Sequence, residues 1–326
     1  MFTEELNRVG YISRSVPTDK DLRTLILELK KQKNAVILAH YYVSADIQAL
    51  ADVVGDSLAL AHAAKKTDAD IILFCGVHFM AETAKILNPT KKVLLPDLNA
   101  GCSLADSTPT ADFEAFKSAH PGAVVVSYIN CSAEVKAMSD IICTSSNAVD
   151  VVNSVPADRK IIFAPDKNLG TYVAKQTGRD LILWDGACVV HVNISIDKLI
   201  ALQARFPEAE LIAHPECEPE ILDRADFIGS TKALIEYAKV SQVNTFIIAT
   251  EAGILYKMRE LVPEKKLIPA PALETNSCAC SECPYMKMNT LEKVFNALYY
   301  ELPEITLSDD IISKASVAMN NMMAIK

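Results

Sequence analysis

Short aliphatic and aromatic runs without polar alternation recur along the chain, separated by stretches in which apolar residues return every three or four positions. The runs read as strands buried on both faces and the stretches as amphipathic helices, the alternation that builds parallel β-α-β units. Ala35-Val-Ile-Leu-Ala-His40, Asp70-Ile-Ile-Leu-Phe74 and Val93-Leu-Leu-Pro96 are predicted strands, and residues 45–50, 58–65 and 81–87 predicted helices.

The pattern then repeats. Ala35 to Tyr42 aligns with Ala123-Val-Val-Val-Ser-Tyr128-Ile-Asn130 at a shift of 88 residues, and Leu211-Ile-Ala-His214-Pro-Glu216 follows at a further 86. Asp52-Val-Val-Gly-Asp-Ser57 falls on Asp140-Ile-Ile-Cys-Thr-Ser145, and Asp226-Phe-Ile-Gly-Ser230 matches with one residue deleted. Lys160-Ile-Ile-Phe-Ala164 and Thr245-Phe-Ile-Ile-Ala249 repeat the third strand, and Leu181-Ile-Leu-Trp184 and Leu267-Ile-Pro269 the fourth. Units of this size are too large for common solenoid repeats. The expectation is an α/β protein of three similar three-layer α/β/α sandwich domains with parallel sheets, related by pseudo-threefold symmetry around a central active site. The boundaries fall at residues 1–105, 106–191 and 192–326, the last range including a C-terminal helical segment.

Ligands of parallel sheets bind beyond the carboxyl ends of the strands. The triplets His40-Tyr-Tyr42, Tyr128-Ile129-Asn130 and His214-Pro215-Glu216 stand there in each repeat. One residue of this kind is as easily a local strand cap; recurrence in three repeats favours a shared site. Ser57, Ser145, Ser230 and Thr231 stand where a strand gives way to a helix. Hydroxyls are preferred caps there, and three helix N-termini together would cradle an anion with several negative groups.

Cys102 and Cys188 follow the fourth strands of the first two repeats, 86 residues apart, and the third repeat offers Cys278, Cys280 and Cys283. One thiolate per repeat suggests one metal centre. Tetrahedral zinc with an open position is one possibility. A [4Fe–4S] cluster with three protein ligands is the other, its open iron available as a Lewis acid. Cys75, Cys131, Cys143 and Cys217 read as buried small hydrophobes, and His78 and Glu82 as a pair one helical turn apart. Cys188-Val-Val-His191 has metal-ligand spacing, though His191 could equally orient a substrate.

Composition narrows the function classes. With 32 Lys+Arg against 41 Asp+Glu the formal charge is −9, which argues against a nucleic-acid binder and makes anion recognition a local matter. The first twenty residues lack the apolar core of an export signal, and no apolar stretch reaches the length of a membrane span, so a cytoplasmic protein is expected. Nine cysteines in a reducing compartment point to metal, catalysis or burial rather than disulfides.

From about Val36 to Lys293 the chain closely resembles the quinolinate synthases of bacterial de novo NAD biosynthesis. The likeness rests on LAHYY, DSLALA, CGVHFMAETAKIL, LLPDLNAGCSLAD, SYINCSAEVKA, CTSSNAV, APDKNLG, HPEC, GSTKAL, ATEAGILYKM and CPYMKMNTLEK. It implies a transferase that condenses iminoaspartate with dihydroxyacetone phosphate to quinolinate, releasing phosphate and two waters, with a [4Fe–4S] cluster as cofactor. Carried over by position, Cys102, Cys188 and Cys283 are the implied cluster ligands, the last because it precedes Pro-Tyr-Met. His40, Ser57, Tyr128, Ile129, Asn130, Ser145, His191, His214, Pro215, Glu216, Ser230 and Thr231 are the implied substrate-binding set. Glu216, Tyr42, His214 and Tyr128 are the implied catalytic groups, with Glu216 and Tyr42 handling protons. An aspartate oxidase or dehydrogenase is the expected functional partner, as supplier of the imine. Two readings from other classes stand beside this one: a zinc-dependent aldolase or hydratase using Cys102, Cys188 and His191, and a non-enzymatic iron–sulfur carrier.

Overall fold

A computed structural model describes residues 2–18, 20–273 and 281–325. The chain divides into two compact units: Met1–Cys102 with Ser132–Ala137 and Pro284–Met319, and Ser103–Cys131 with Met138–Cys283 and Asn320–Lys326.

The first unit holds one parallel sheet of β1 (Ala35–His40), β2 (Val53–Gly55), β3 (Ile71–Cys75) and β4 (Lys92–Leu94), in the order β2-β1-β3-β4. The second holds two more: β5 (Val124–Tyr128), β6 (Ile141–Cys143), β7 (Ile161–Ala164) and β8 (Leu181–Leu183), then β9 (Glu210–Ala213), β10 (Phe227–Ile228), β11 (Thr245–Ala249) and β12 (Lys266–Pro269). Their orders, β6-β5-β7-β8 and β10-β9-β11-β12, repeat that of the first sheet. Strands β3, β7 and β11 are buried at every residue, as sheets covered by helices on both faces require. The three α/β/α sandwiches expected from the periodicity are therefore present.

Register makes the equivalence residue by residue. Leu38 pairs with Val53 and Phe74, Val126 with Ile141 and Phe163, and Ile212 with Phe227 and Ile248. Asp226 is thus the true counterpart of Asp52 and Asp140 with nothing deleted, and Thr231, not Ser230, is the counterpart of Ser57. The deletion expected from the sequence is corrected by this register. The three aspartates carry a common device. Asp52, Asp140 and Asp226 each donate a backbone N–H to Ile37, Val125 and Leu211 (2.9, 2.9 and 2.8 Å) and accept that same residue's N–H on a carboxylate oxygen (2.8, 2.7 and 2.7 Å). A side chain thereby continues the ladder one step beyond a very short edge strand, so no buried amide is left unpaired.

Two expected caps are also corrected. Asp56, not Ser57, caps helix Ser57–Lys66 by accepting the Ala59 N–H, because a carboxylate one residue earlier already sits in the cap geometry. Ser145 lies in a turn, and helix Ala148–Ser154 begins only after Asn147, whose side chain accepts the Thr144 N–H instead. Ser230 does cap helix Thr231–Val240, through the Ala233 N–H.

The chain's C-terminal part returns to the first unit. Helix Leu291–Tyr300 packs on helix Leu22–Gln32 and on β3. Residues 303–305 then pair antiparallel to β4, with the Leu95 N–H donating to Pro303 O and the Ile305 N–H to Val93 O. No helix among the described residues is long and apolar enough to cross a membrane.

Truncating Asp226 to Ala leaves the Leu211 amide without its acceptor and should lower unfolding stability by about 1 kcal/mol. Asp226→Asn, which keeps an acceptor oxygen, should recover part of it. Denaturant midpoints of the two variants check both values.

Candidate active site

The polar triplets occupy the carboxyl ends of β1, β5 and β9. By register His40, Tyr128 and His214 are equivalent, as are Tyr42, Asn130 and Glu216, two residues further on. Backbone strands end there, so these side chains project from a rigid platform rather than from mobile loops.

A second equivalence concerns the cysteines. Two residues before Cys102, Cys188 and Cys283, the carbonyls of Ala100, Gly186 and Ser281 accept the N–H groups of His78, Lys167 and Ala252 at 2.7, 2.8 and 3.1 Å. Those donors hold one register position, the third residue after β3, β7 and β11. One backbone hydrogen bond therefore sets all three cysteine loops alike, and it selects Cys283 in the third repeat. Cys278 and Cys280 lie outside the described residues. Cys102, Cys188 and Cys283 are partly exposed thiols, whereas Cys75, Cys131, Cys143 and Cys217 are buried. Burial pushes the thiols of Cys75, Cys143 and Cys217 above their ordinary pKa, the inert state of structural cysteines.

In the second unit a carboxylate lies between two imidazoles. Glu216 Oε2 is 3.0 Å from His191 Nδ1 and 3.3 Å from His214 Nδ1, all three side chains being at most 4 % exposed. The rings stack with centroids 4.9 Å apart. Each is oriented from its far side: His191 Nε2 is 2.9 Å from Thr250 Oγ1 and His214 Nε2 is 3.2 Å from Ser145 Oγ. Burial alone would raise the Glu216 pKa, but the two imidazoles more than reverse that and keep it ionised. Its second oxygen, Oε1, is buried with no hydrogen-bond partner among the described residues. Ligand atoms of Cys188, His191 and Glu216 all lie within 4.8 Å of one another, so the acid–base set borders a thiol and could itself hold a metal ion. Tyr128 is also buried, and Asn130 Oδ1 is buried with no hydrogen-bond partner among the described residues. Ile129 and Pro215 contribute backbone between these side chains, the Ile129 N–H donating to Cys143 O. Ser230 and Thr231, both buried, start a ten-residue helix.

The first unit presents His40, buried at the end of β1, with the Tyr42 ring edge-on at 4.4 Å and the Tyr42 N–H donating to His40 Nδ1 at 3.2 Å. Lys287 holds the Tyr42 carbonyl at 2.9 Å. Ser57 opens its helix, and the Cys102 loop is fastened by Asp97, which accepts the Asn99 N–H and an ion pair from Lys293 at 2.6 Å. His78 and Glu82 pair at 3.4 Å along their helix, and Glu82 also accepts the Ala133 N–H.

Four residues were not singled out by sequence reasoning: Thr250, Asp166, Asn168 and Glu251. Asn168 donates to the Glu216 carbonyl at 3.2 Å. Asp166 and Glu251 are fully buried. Burial, then the charge of Glu216, raises the Asp166 pKa, so the negative charge of the pair resides on Glu216. The available signal was positional: both acids follow the third strand of their repeat by two residues, inside APDKNLG and ATEAGILYKM.

Comparison with known proteins agrees with this geometry. Residues 24–324 match the family model described as NadA, Quinolinate synthetase A protein. The quinolinate synthase of Microcystis aeruginosa is 60% identical over 303 residues, covering 93% of this chain and 94% of the relative. That of Trichormus variabilis is 61% identical over 303 residues, with 93% of each chain covered. That of Synechococcus sp. is 58% identical over 304 residues, covering 93% of this chain and 95% of the relative. With three sheets of one order, equivalently tethered cysteines and a match over nearly the whole length, the chain belongs to the quinolinate synthetase A family.

Proposed function

We propose that this chain is a quinolinate synthase, a transferase condensing iminoaspartate with dihydroxyacetone phosphate to quinolinate, phosphate and two waters. The observation that carries the reading is a buried acid–base set, His191, Glu216 and His214, bordering the Cys188 thiol. The atoms of this reaction balance without an oxidant, so it calls for proton transfer, dehydration and charge stabilisation, not electron transfer.

The donor set fits an iron–sulfur cluster. Among the described residues, the partly exposed thiols are those that follow the repeated backbone hydrogen bond, and soft thiolates are the usual ligands of such a group. Cys102, Cys188 and Cys283 would hold a [4Fe–4S] cluster. When bound, such a cluster offers an open iron as a Lewis acid toward a departing hydroxyl.

The rest is the work of side chains. Glu216 Oε1 takes the proton next to the imine, the imidazoles holding the carboxylate in place and ready to accept charge. Thr250 and Ser145 fix the ring orientations. Tyr42 is the second proton-handling group. Both substrates are multiply charged anions, and the N-termini of the helices opened by Ser57 and by Ser230-Thr231, with His40, Tyr128 and Asn130, supply donors for them. A dry site protects an imine that water would hydrolyse. The protein that supplies this imine is of the amine-oxidising class, an aspartate oxidase or dehydrogenase.

A second reading has its own observation: Cys188, His191 and Glu216 are close enough to hold a single zinc ion. The two readings part at His191. His191→Ala should leave iron content unchanged in a cluster enzyme while lowering turnover, and should abolish metal binding in a zinc enzyme. Metal analysis of the purified variant separates them. Glu216→Gln should keep the fold and substrate binding but lower kcat by roughly 100- to 10,000-fold. Steady-state quinolinate formation under anaerobic conditions, with substrate binding measured separately, checks this.

A further inference from the structure

Register places Val77, Asp166 and Glu251 at one position of the three repeats, the second residue after the third strand. The first repeat has a hydrocarbon there. The other two have a fully buried carboxylate. Glu251 accepts the Cys283 N–H on Oε1 at 3.0 Å and the Gly253 N–H on Oε2 at 2.6 Å. Asp166 accepts the Leu169 N–H on Oδ1 at 2.8 Å as the ordinary cap of helix Lys167–Thr177, and its Oδ2 has no hydrogen-bond partner among the described residues. Glu251 instead reaches from the start of a helix to the amide of Cys283 in the neighbouring loop.

Helix capping accounts for Asp166 but not for Glu251. Glu251 caps nothing in the ordinary sense: the helix it precedes, Ile254–Leu261, starts at Gly253 without a side-chain cap. A cap has no need of complete burial, and a buried carboxylate is costly unless amides satisfy it. We infer that Glu251 is a positioning residue that holds the backbone at Cys283, so that this thiol is set before any metal group binds. The inference rests on the reading of Cys283 as a cluster ligand.

The test compares Glu251→Ala with wild type and with Glu251→Gln, the conservative variant serving if the alanine variant does not fold. Circular dichroism and melting confirm that each is folded. Anaerobic alkylation of metal-free protein by iodoacetamide, read per cysteine by peptide mass spectrometry, should show Cys283 reacting about 10-fold faster in Glu251→Ala, with Cys102 and Cys188 unchanged. Glu251→Gln, which keeps an oxygen for the Cys283 amide, should lie between wild type and Glu251→Ala. After reconstitution, Glu251→Ala should lose iron to a chelator about 10-fold faster than wild type. Wild-type alkylation and iron-loss rates in folded variants would overturn the inference, as would equal acceleration of all three cysteines. If wild type takes up no iron but the selective alkylation pattern appears, the cluster reading falls and the positioning role stands.

Discussion

His78, Lys167 and Ala252 each give a backbone N–H to the carbonyl two residues before a cysteine, and the candidate chemistry of this protein depends on that hydrogen bond. It joins the start of one helix to the loop after the fourth strand, so a cysteine at a fixed distance beyond the accepting carbonyl is placed by backbone geometry alone. Side chains differ at all three donors, His78, Lys167 and Ala252, and a backbone bond is indifferent to them; of the twenty residues only proline, which lacks the N–H, would remove it.

Specialisation is visible at the strand ends. The position after β1, β5 and β9 carries His40, Tyr128 and His214, and two residues on come Tyr42, Asn130 and Glu216. Only the third repeat places an acid there, and only that acid is enclosed by imidazoles. A carboxylate at 3 % exposure would ordinarily take up a proton; the two rings, anchored by Thr250 and Ser145, hold it ionised instead. Burial and charge are in tension at this point. Such tension is common where proton transfer is the task and uncommon in a core built only for stability.

Much of the fold was legible because buried parallel strands write themselves as unbroken apolar runs, and the repetition of Asp52, Asp140 and Asp226 kept the alignment in register. The function of those aspartates was not legible, since a carboxylate accepting a strand amide looks in sequence like any polar residue at a strand start. Capping misled for a similar reason. Ser57 and Ser145 are good cap residues, but Asp56 and Asn147 compete for the same amides and turns. At the site, the triplets and cysteines were readable by recurrence. Thr250 and Glu251 were not, because their partners, the His191 ring in a short helix and the Cys283 amide in a loop, lie 59 and 32 residues away along the chain.

The proposed function requires that Cys102, Cys188 and Cys283 be the ligands of one cluster. Iron and acid-labile sulfide, counted on anaerobically purified wild type and on the single variants Cys102→Ala, Cys188→Ala and Cys283→Ala, test it most directly. The expected result is about four irons and four sulfides per chain in wild type and loss of the cluster in each variant. A wild type without sulfide, or a Cys283→Ala protein that keeps its full iron, would contradict it.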